Sequence, residues 1–107
     1  MRPELLKGHL DVLLLAIISE GPAHGYAIID ELRHRSEEAF ALPEGTVYPA
    51  LHRLEEAGFV SSTTSRVDGR SRRTYALTGD GRQALAERRR EWSTFKGAIN
   101  AVLGEQP

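Results

Sequence analysis

Leu5, Leu6, Leu10, Leu13, Leu14, Ile17 and Ile18 recur at the spacing of one helix face, which predicts a first helix over about residues 5–20. Val12, Leu15 and Ala16 add a second apolar flank, more than a one-sided surface helix needs. Gly21-Pro22 ends the run, because proline cannot continue the hydrogen-bond ladder. A second helix is predicted over about 23–35, with Tyr26, Ala27, Ile29 and Leu32 offered to the core and Asp30, Glu31, Arg33 and Arg35 outside. Residues 36–45, with Pro43 and Gly45 and few periodic apolar positions, read as a connection.

The third helix is predicted over about 46–57, with Thr46 as its N-cap. That placement puts Pro49 at the third helical position, where no intrahelical partner is lost. Gly58 is the stop. From Phe59 to Arg66 the chain is rich in Ser and Thr, residues 67–70 (Val-Asp-Gly-Arg) read as a turn, and residues 73–78 alternate polar and apolar. This is the pattern of a β-hairpin. Thr78 then caps a long last helix over about 79–103, with Asp80 near its positive dipole end.

The chain's 107 residues, 40% hydrophobic and 27% charged, fit one small folded unit. Cysteine is absent, which excludes disulfides, thiolate zinc sites and thiol catalysis. The longest apolar run, Val12 to Ile18, is far below the ~20 residues that span a bilayer, so no membrane contact is expected. Arg2 and Lys7 ahead of that run resemble the start of a secretory leader, but Glu4, Asp11 and the lack of a small-x-small site argue against one. The formal net charge of −1 hides an asymmetry: residues 1–60 carry 5 Lys/Arg against 10 Asp/Glu, and residues 61–107 carry 9 against 5. The second part is therefore the basic one.

On a helical wheel Val47, Ala50, Leu51, Leu54 and Ala57 gather on one side of the third helix, while Tyr48, Pro49, His52, Arg53, Glu55 and Glu56 lie on or beside the other. The N-terminal half of that polar face suits base edges, as in the second helix of a helix-turn-helix. A core helix with a solvated face is the plainer reading of the same pattern. Arg66, Arg70, Arg72 and Arg73 fall within eight residues around the hairpin turn, a cluster able to clamp phosphates. Edge charges that block strand aggregation are the competing explanation there. Together, a helix-turn-helix and a basic hairpin specify an α+β, mainly α, winged helix with a two-stranded wing.

In the last helix Leu85, Trp92 and Ile99 stand seven apart, with Phe95 and Val102 filling the intermediate heptad positions and Arg88 interrupting one. Such a stripe outruns what three short helices can cover, so a second copy of the chain is expected on it. The expected division is 1–78 for the DNA-binding unit and 79–107 for the dimerisation helix and tail. Enzyme readings fail: His9, His24, His34 and His52 have no metal-ligand spacing, the serines have no nucleophile elbow, and Gly79-Asp80-Gly81 reads as a turn rather than a nucleotide loop. No cofactor or metal is expected.

Four strings then carry a resemblance: residues 6–10 (LKGHL), 24–28 (HGYAI), 45–55 (GTVYPALHRLE) and 69–78 (GRSRRTYALT). In these the chain resembles the PadR family of transcriptional regulators over roughly residues 5–103. The resemblance implies a cytoplasmic winged-helix homodimer, usually a repressor, that binds a pseudo-palindromic operator in double-stranded DNA and is often released by a small molecule. Carried over by position, Thr46, Tyr48, Pro49, His52 and Arg53 would face the major groove, and Arg70, Arg72 and Arg73 would meet phosphates or the minor groove. The single C-terminal helix looks like the shorter subfamily, some of whose members bind flat hydrophobic compounds between aromatic residues, a place that Trp92 and Phe95 would take. The family pattern is not met in one respect: residues 61–66 of the wing contain no aromatic residue. A winged helix used only for protein contacts, or a small-molecule-binding dimer without DNA function, are the alternatives.

Overall fold

A computed structural model describes residues 5, 6 and 8–105 of the chain. The element order is α1 (Leu10–Ile18), β1 (Ala23–His24), α2 (Gly25–Arg35), α3 (Glu44–Glu56), β2 (Val60–Val67), β3 (Arg70–Leu77) and α4 (Gly79–Leu103). The antiparallel sheet has the order β1-β3-β2. Helix α1 begins later than its apolar period predicts. Gly8 holds φ at 85°, a left-handed conformation that no helix continues, so the ladder starts at Leu10.

Leu14, Leu15, Ile17 and Ile18 of α1 meet Ile28 and Leu32 of α2, Val47, Ala50, Leu51 and Leu54 of α3, and Val60, Tyr75 and Leu85 in one core. Leu15 therefore belongs inside and not to a second flank, whereas Leu13 is only half-buried. Asp11 and Glu20 are each paired with an arginine of another helix. Asp11 accepts from Arg88 of α4 at 3.2 Å, and Arg88 also lies over the Phe59 ring at 5.8 Å. Glu20 takes a fork of two hydrogen bonds, 2.5 and 2.7 Å, from Arg35 at the end of α2. Those bonds hold the Glu20 carboxyl below its ordinary range.

Residues 23 and 24 do not open α2 as predicted; they form a short strand beside β3, Ala23 opposite Tyr75 and His24 opposite Thr74. His24 is instead the N-cap, its Nδ1 accepting from the Ala27 N–H at 3.2 Å. The sheet thus has a third strand beyond the expected two. Between α2 and α3, Glu37 and Glu38 both adopt positive φ, 51° and 73°. The turn is fixed by Ser36, whose hydroxyl donates to Leu32 C=O at 2.6 Å and accepts from the Phe40 N–H at 2.8 Å.

Helix α3 starts two residues before its predicted cap. Pro43 is the N-cap, Thr46 lies inside the first turn, and Pro49 is the sixth residue of the helix rather than the third. Pro49 consequently removes a bond to the Gly45 carbonyl. Gly45 is exposed, so that carbonyl faces water and not a dry core.

The exit of α3 and the entry of α4 form one joint. Thr78 caps α4 as the sequence predicts, accepting from the Gly81 N–H at 3.0 Å, and its hydroxyl donates to the Gly58 carbonyl at 2.6 Å. Its N–H donates to the Phe59 carbonyl at 3.1 Å. Residues 79–81 are thus the first turn of α4 and not a separate turn. Gly81 packs directly against the Phe59 carbonyl, with Leu77 beside it. At the far end α4 closes on Gly104, φ 75°, with the Glu105 N–H reaching back to Asn100 C=O at 2.9 Å.

Candidate nucleic-acid interface

Helix α3 buries Val47, Ala50, Leu51 and Leu54, which fixes its rotation and turns Thr46, Pro49, His52 and Arg53 to solvent. Tyr48 is half-buried, its ring against Gly25 at the start of α2. Only a glycine admits this approach, because a Cβ at position 25 would overlap the ring. Burial pushes the Tyr48 hydroxyl above its ordinary range. Tyr48 therefore anchors the helix as much as it presents a surface.

The wing is a long two-stranded ribbon. Asp68 and Gly69 have φ of 52° and 77°, the two left-handed residues of a type I′ turn, which joins strands without splaying them. Directly paired residues share a face of the ribbon. Val60 with Leu77 and Ser62 with Tyr75 mark one face as the inner one, since Val60 and Tyr75 are buried. Thr64 with Arg73 and Arg66 with Ser71 continue that inner face, while Ser65 with Arg72 and Val67 with Arg70 lie on the outer one.

The four arginines thus divide two and two. Arg70 and Arg72 are exposed and, with Arg73, border a groove of about 560 Å³ shared with His24, Tyr26 and Tyr48. Arg66 curls back to the Gly69 carbonyl at 3.4 Å. Arg73 donates to Ser62 Oγ at 3.3 Å and lies 3.7 Å from Glu55 at the end of α3. On α3, His52 is 2.7 Å from Glu56, one turn on. Glu55 and Glu56 are both engaged by side chains next to them.

Tyr26 was expected in the core and is not there: 62% of it is exposed, at the mouth of the groove. The buried face of α2 is Gly25, Ile28 and Leu32, and Tyr26 lies off it. Its ring stands edge-on to Tyr48 at 6.5 Å. A hydrogen bond to Glu44 raises the Tyr26 hydroxyl above its ordinary range, with Arg70 acting in the opposite direction. Tyr26 is the groove residue that the sequence assigned to the core.

The second candidate site lies on α4. Trp92 and Phe95 are 45% and 49% exposed, their rings 5.9 Å apart. His9 meets Trp92 edge-on at 5.2 Å and Phe95 at 6.1 Å. With Gly8, Val12, Arg88 and Glu91 they border a cleft of about 510 Å³. His9 is the member that sequence reading set aside, because nothing local to it signals an aromatic partner on a helix more than eighty residues away.

A helix-turn-helix carrying an arginine-tipped hairpin and a single long C-terminal helix is now defined in detail. The family model described as "Transcriptional regulator PadR-like family" matches residues 14–87, from α1 into α4. The chain belongs to the PadR-like family of transcriptional regulators. A transcriptional regulator of Mycobacterium tuberculosis is 43% identical over 88 residues, covering 82% of this chain and 77% of its own. A PadR family transcription regulator from Clostridium difficile superposes with a TM-score of 0.79 at 34% identity, covering 90% of this chain and 99% of that one. A transcriptional regulator from Clostridium thermocellum gives a TM-score of 0.86 at 28% identity, with 92% and 96% covered. The PadR-like winged-helix fold is thereby shown, in a family of regulators and not of enzymes. Among the described residues no helix is long and apolar enough to cross a membrane.

Proposed function

We propose that this PadR-like protein is a cytoplasmic, homodimeric repressor that occupies a pseudo-palindromic operator and blocks transcription from it. The observation that carries the reading is the exposed N-terminal half of α3, Thr46 to Arg53, set beside a hairpin whose outer face bears Arg70 and Arg72. The first would lie in the major groove with Thr46, Pro49, His52 and Arg53 toward base edges and Tyr48 at its margin. The second would follow the phosphates.

Dimerisation through residues 79–107 is supported by what α4 leaves uncovered. Of its 25 residues only Gly81, Ala84 and Leu85 are buried, and Trp92, Phe95, Ile99, Val102 and Leu103 are exposed. A connected apolar stripe of that size is characteristic of an interface. A titration of an inverted-repeat duplex from the promoter beside the gene, followed by fluorescence anisotropy and sedimentation, should show two chains per duplex. I99E should yield monomers and weaken binding at least ~100-fold, since each half-site would then bind alone. A wild-type protein that stays monomeric at micromolar concentration and ignores duplexes at low salt overturns the proposal.

The cleft between His9, Trp92 and Phe95 supports a second level, release by a flat hydrophobic effector. An effector that prefers one arrangement of the paired α4 helices shifts the population away from the DNA-bound form. Titrating planar aromatic compounds should quench Trp92, the chain's single tryptophan, and lower operator affinity. Absence of quenching across such a panel would leave Trp92 as interface packing alone.

A further inference from the structure

We infer that Arg73 is a positioning residue and not a phosphate contact: with Ser62 and Glu55 it braces the wing against the end of the reading helix. The inference rests on the DNA-binding reading above and concerns how the two parts of that surface keep their spacing. Three observations carry it. Register places Arg73 opposite Thr64, on the same ribbon face as buried Val60 and Tyr75 and on the opposite face to Arg70 and Arg72, although its side chain also borders the groove that they line. Its guanidinium is occupied within the fold, by Ser62 Oγ at 3.3 Å and Glu55 at 3.7 Å. The Ser62 hydroxyl donates to the same Glu55 carboxylate at 2.6 Å, closing a three-membered link between α3 and both strands.

Such a brace has a physical purpose. The wing leaves the three-stranded part of the sheet past Ser62 and Thr74, and from there outward its two strands are exposed except at Val67. A two-stranded ribbon without a second layer is marginal on its own. Glu55 is at the last turn of α3, so a charge-assisted link there ties the wing to the element whose placement in the groove decides binding.

The test separates bracing from direct contact through the sign of a charge effect. Removing Glu55 takes a negative charge from the DNA-facing half of the molecule and on electrostatics alone should strengthen binding. Bracing predicts the opposite: R73A and E55A should each weaken operator binding about fivefold, and R73A/E55A no more than either alone. R73A should leave the log–log salt slope of the wild type unchanged, because no phosphate contact is lost. In the DNA-free protein, amide exchange over residues 61–74 should quicken in both single variants and not further in the double. A reduced salt slope in R73A, tighter binding by E55A, additive losses, or unchanged exchange overturns the brace. Faster exchange in a protein that binds no duplex at all would instead overturn the DNA reading and leave the brace in place.

Discussion

R70A/R72A should bind every duplex more weakly, specific or not, and its affinity should depend less on salt. Both side chains lie on the outer face of the hairpin with no intramolecular partner that would occupy them among the described contacts. Each phosphate neutralised contributes about 0.9 to the slope of log affinity against log salt. Four such contacts in a dimer amount to a slope change of about 3.6, so over a fourfold rise in salt the wild type should lose about 150-fold more affinity than the variant. Anisotropy titrations at four or more salt concentrations measure this directly. An unchanged slope would remove these two arginines from the interface, whatever happened to affinity at one salt level. Base preference should persist in the variant, because α3 is untouched.

G81A should be the most damaging glycine-to-alanine change among the described glycines. A Cβ at Gly81 meets the Phe59 carbonyl oxygen head-on, and comes within 2.8 Å of a Leu77 methyl and 2.9 Å of the Phe59 carbonyl carbon. The carbonyl cannot swing away, because it accepts the Thr78 N–H that opens α4. Relief requires moving backbone, which costs about 3 kcal/mol or more and should lower Tm by more than about 10 °C in a chain of this size. Gly79 is the control: nothing lies within 4 Å of a Cβ there, and G79A should stay within about 0.5 kcal/mol of wild type. Thermal unfolding followed by circular dichroism distinguishes the two. Equal midpoints for G79A and G81A would show that the joint yields easily.

Much of this architecture was legible in the sequence because its signals are local. The Thr78 cap and the Asp68-Gly69 turn are specified within a few residues, and the apolar stripe of α3 fixed which side of that helix is buried. Errors arose where distant pairing overrides local preference. Ala23 and His24 became a strand only because β3 offers a partner edge more than fifty residues later. That displaced the start of α2. Pro43 took the cap expected of Thr46, since the preceding extended backbone already suits a helix start and Glu44 in the first turn matches the dipole. Asp11 and Glu20 had no explanation in sequence because their arginines are 77 and 15 residues away. The arginine cluster was visible as composition, but its division into outer and inner pairs depends on strand register, which a count of charges does not contain.

The joint at Phe59 gives the long last helix mechanical meaning. A rod of 25 residues extends about 37 Å, and its first turn is seated on Phe59, whose N–H also bonds back to the Leu54 carbonyl of the reading helix. That seat acts as a fulcrum: with Gly81 packed on the Phe59 carbonyl, a small tilt at the aromatic end arrives at the other side as a rotation of the whole head.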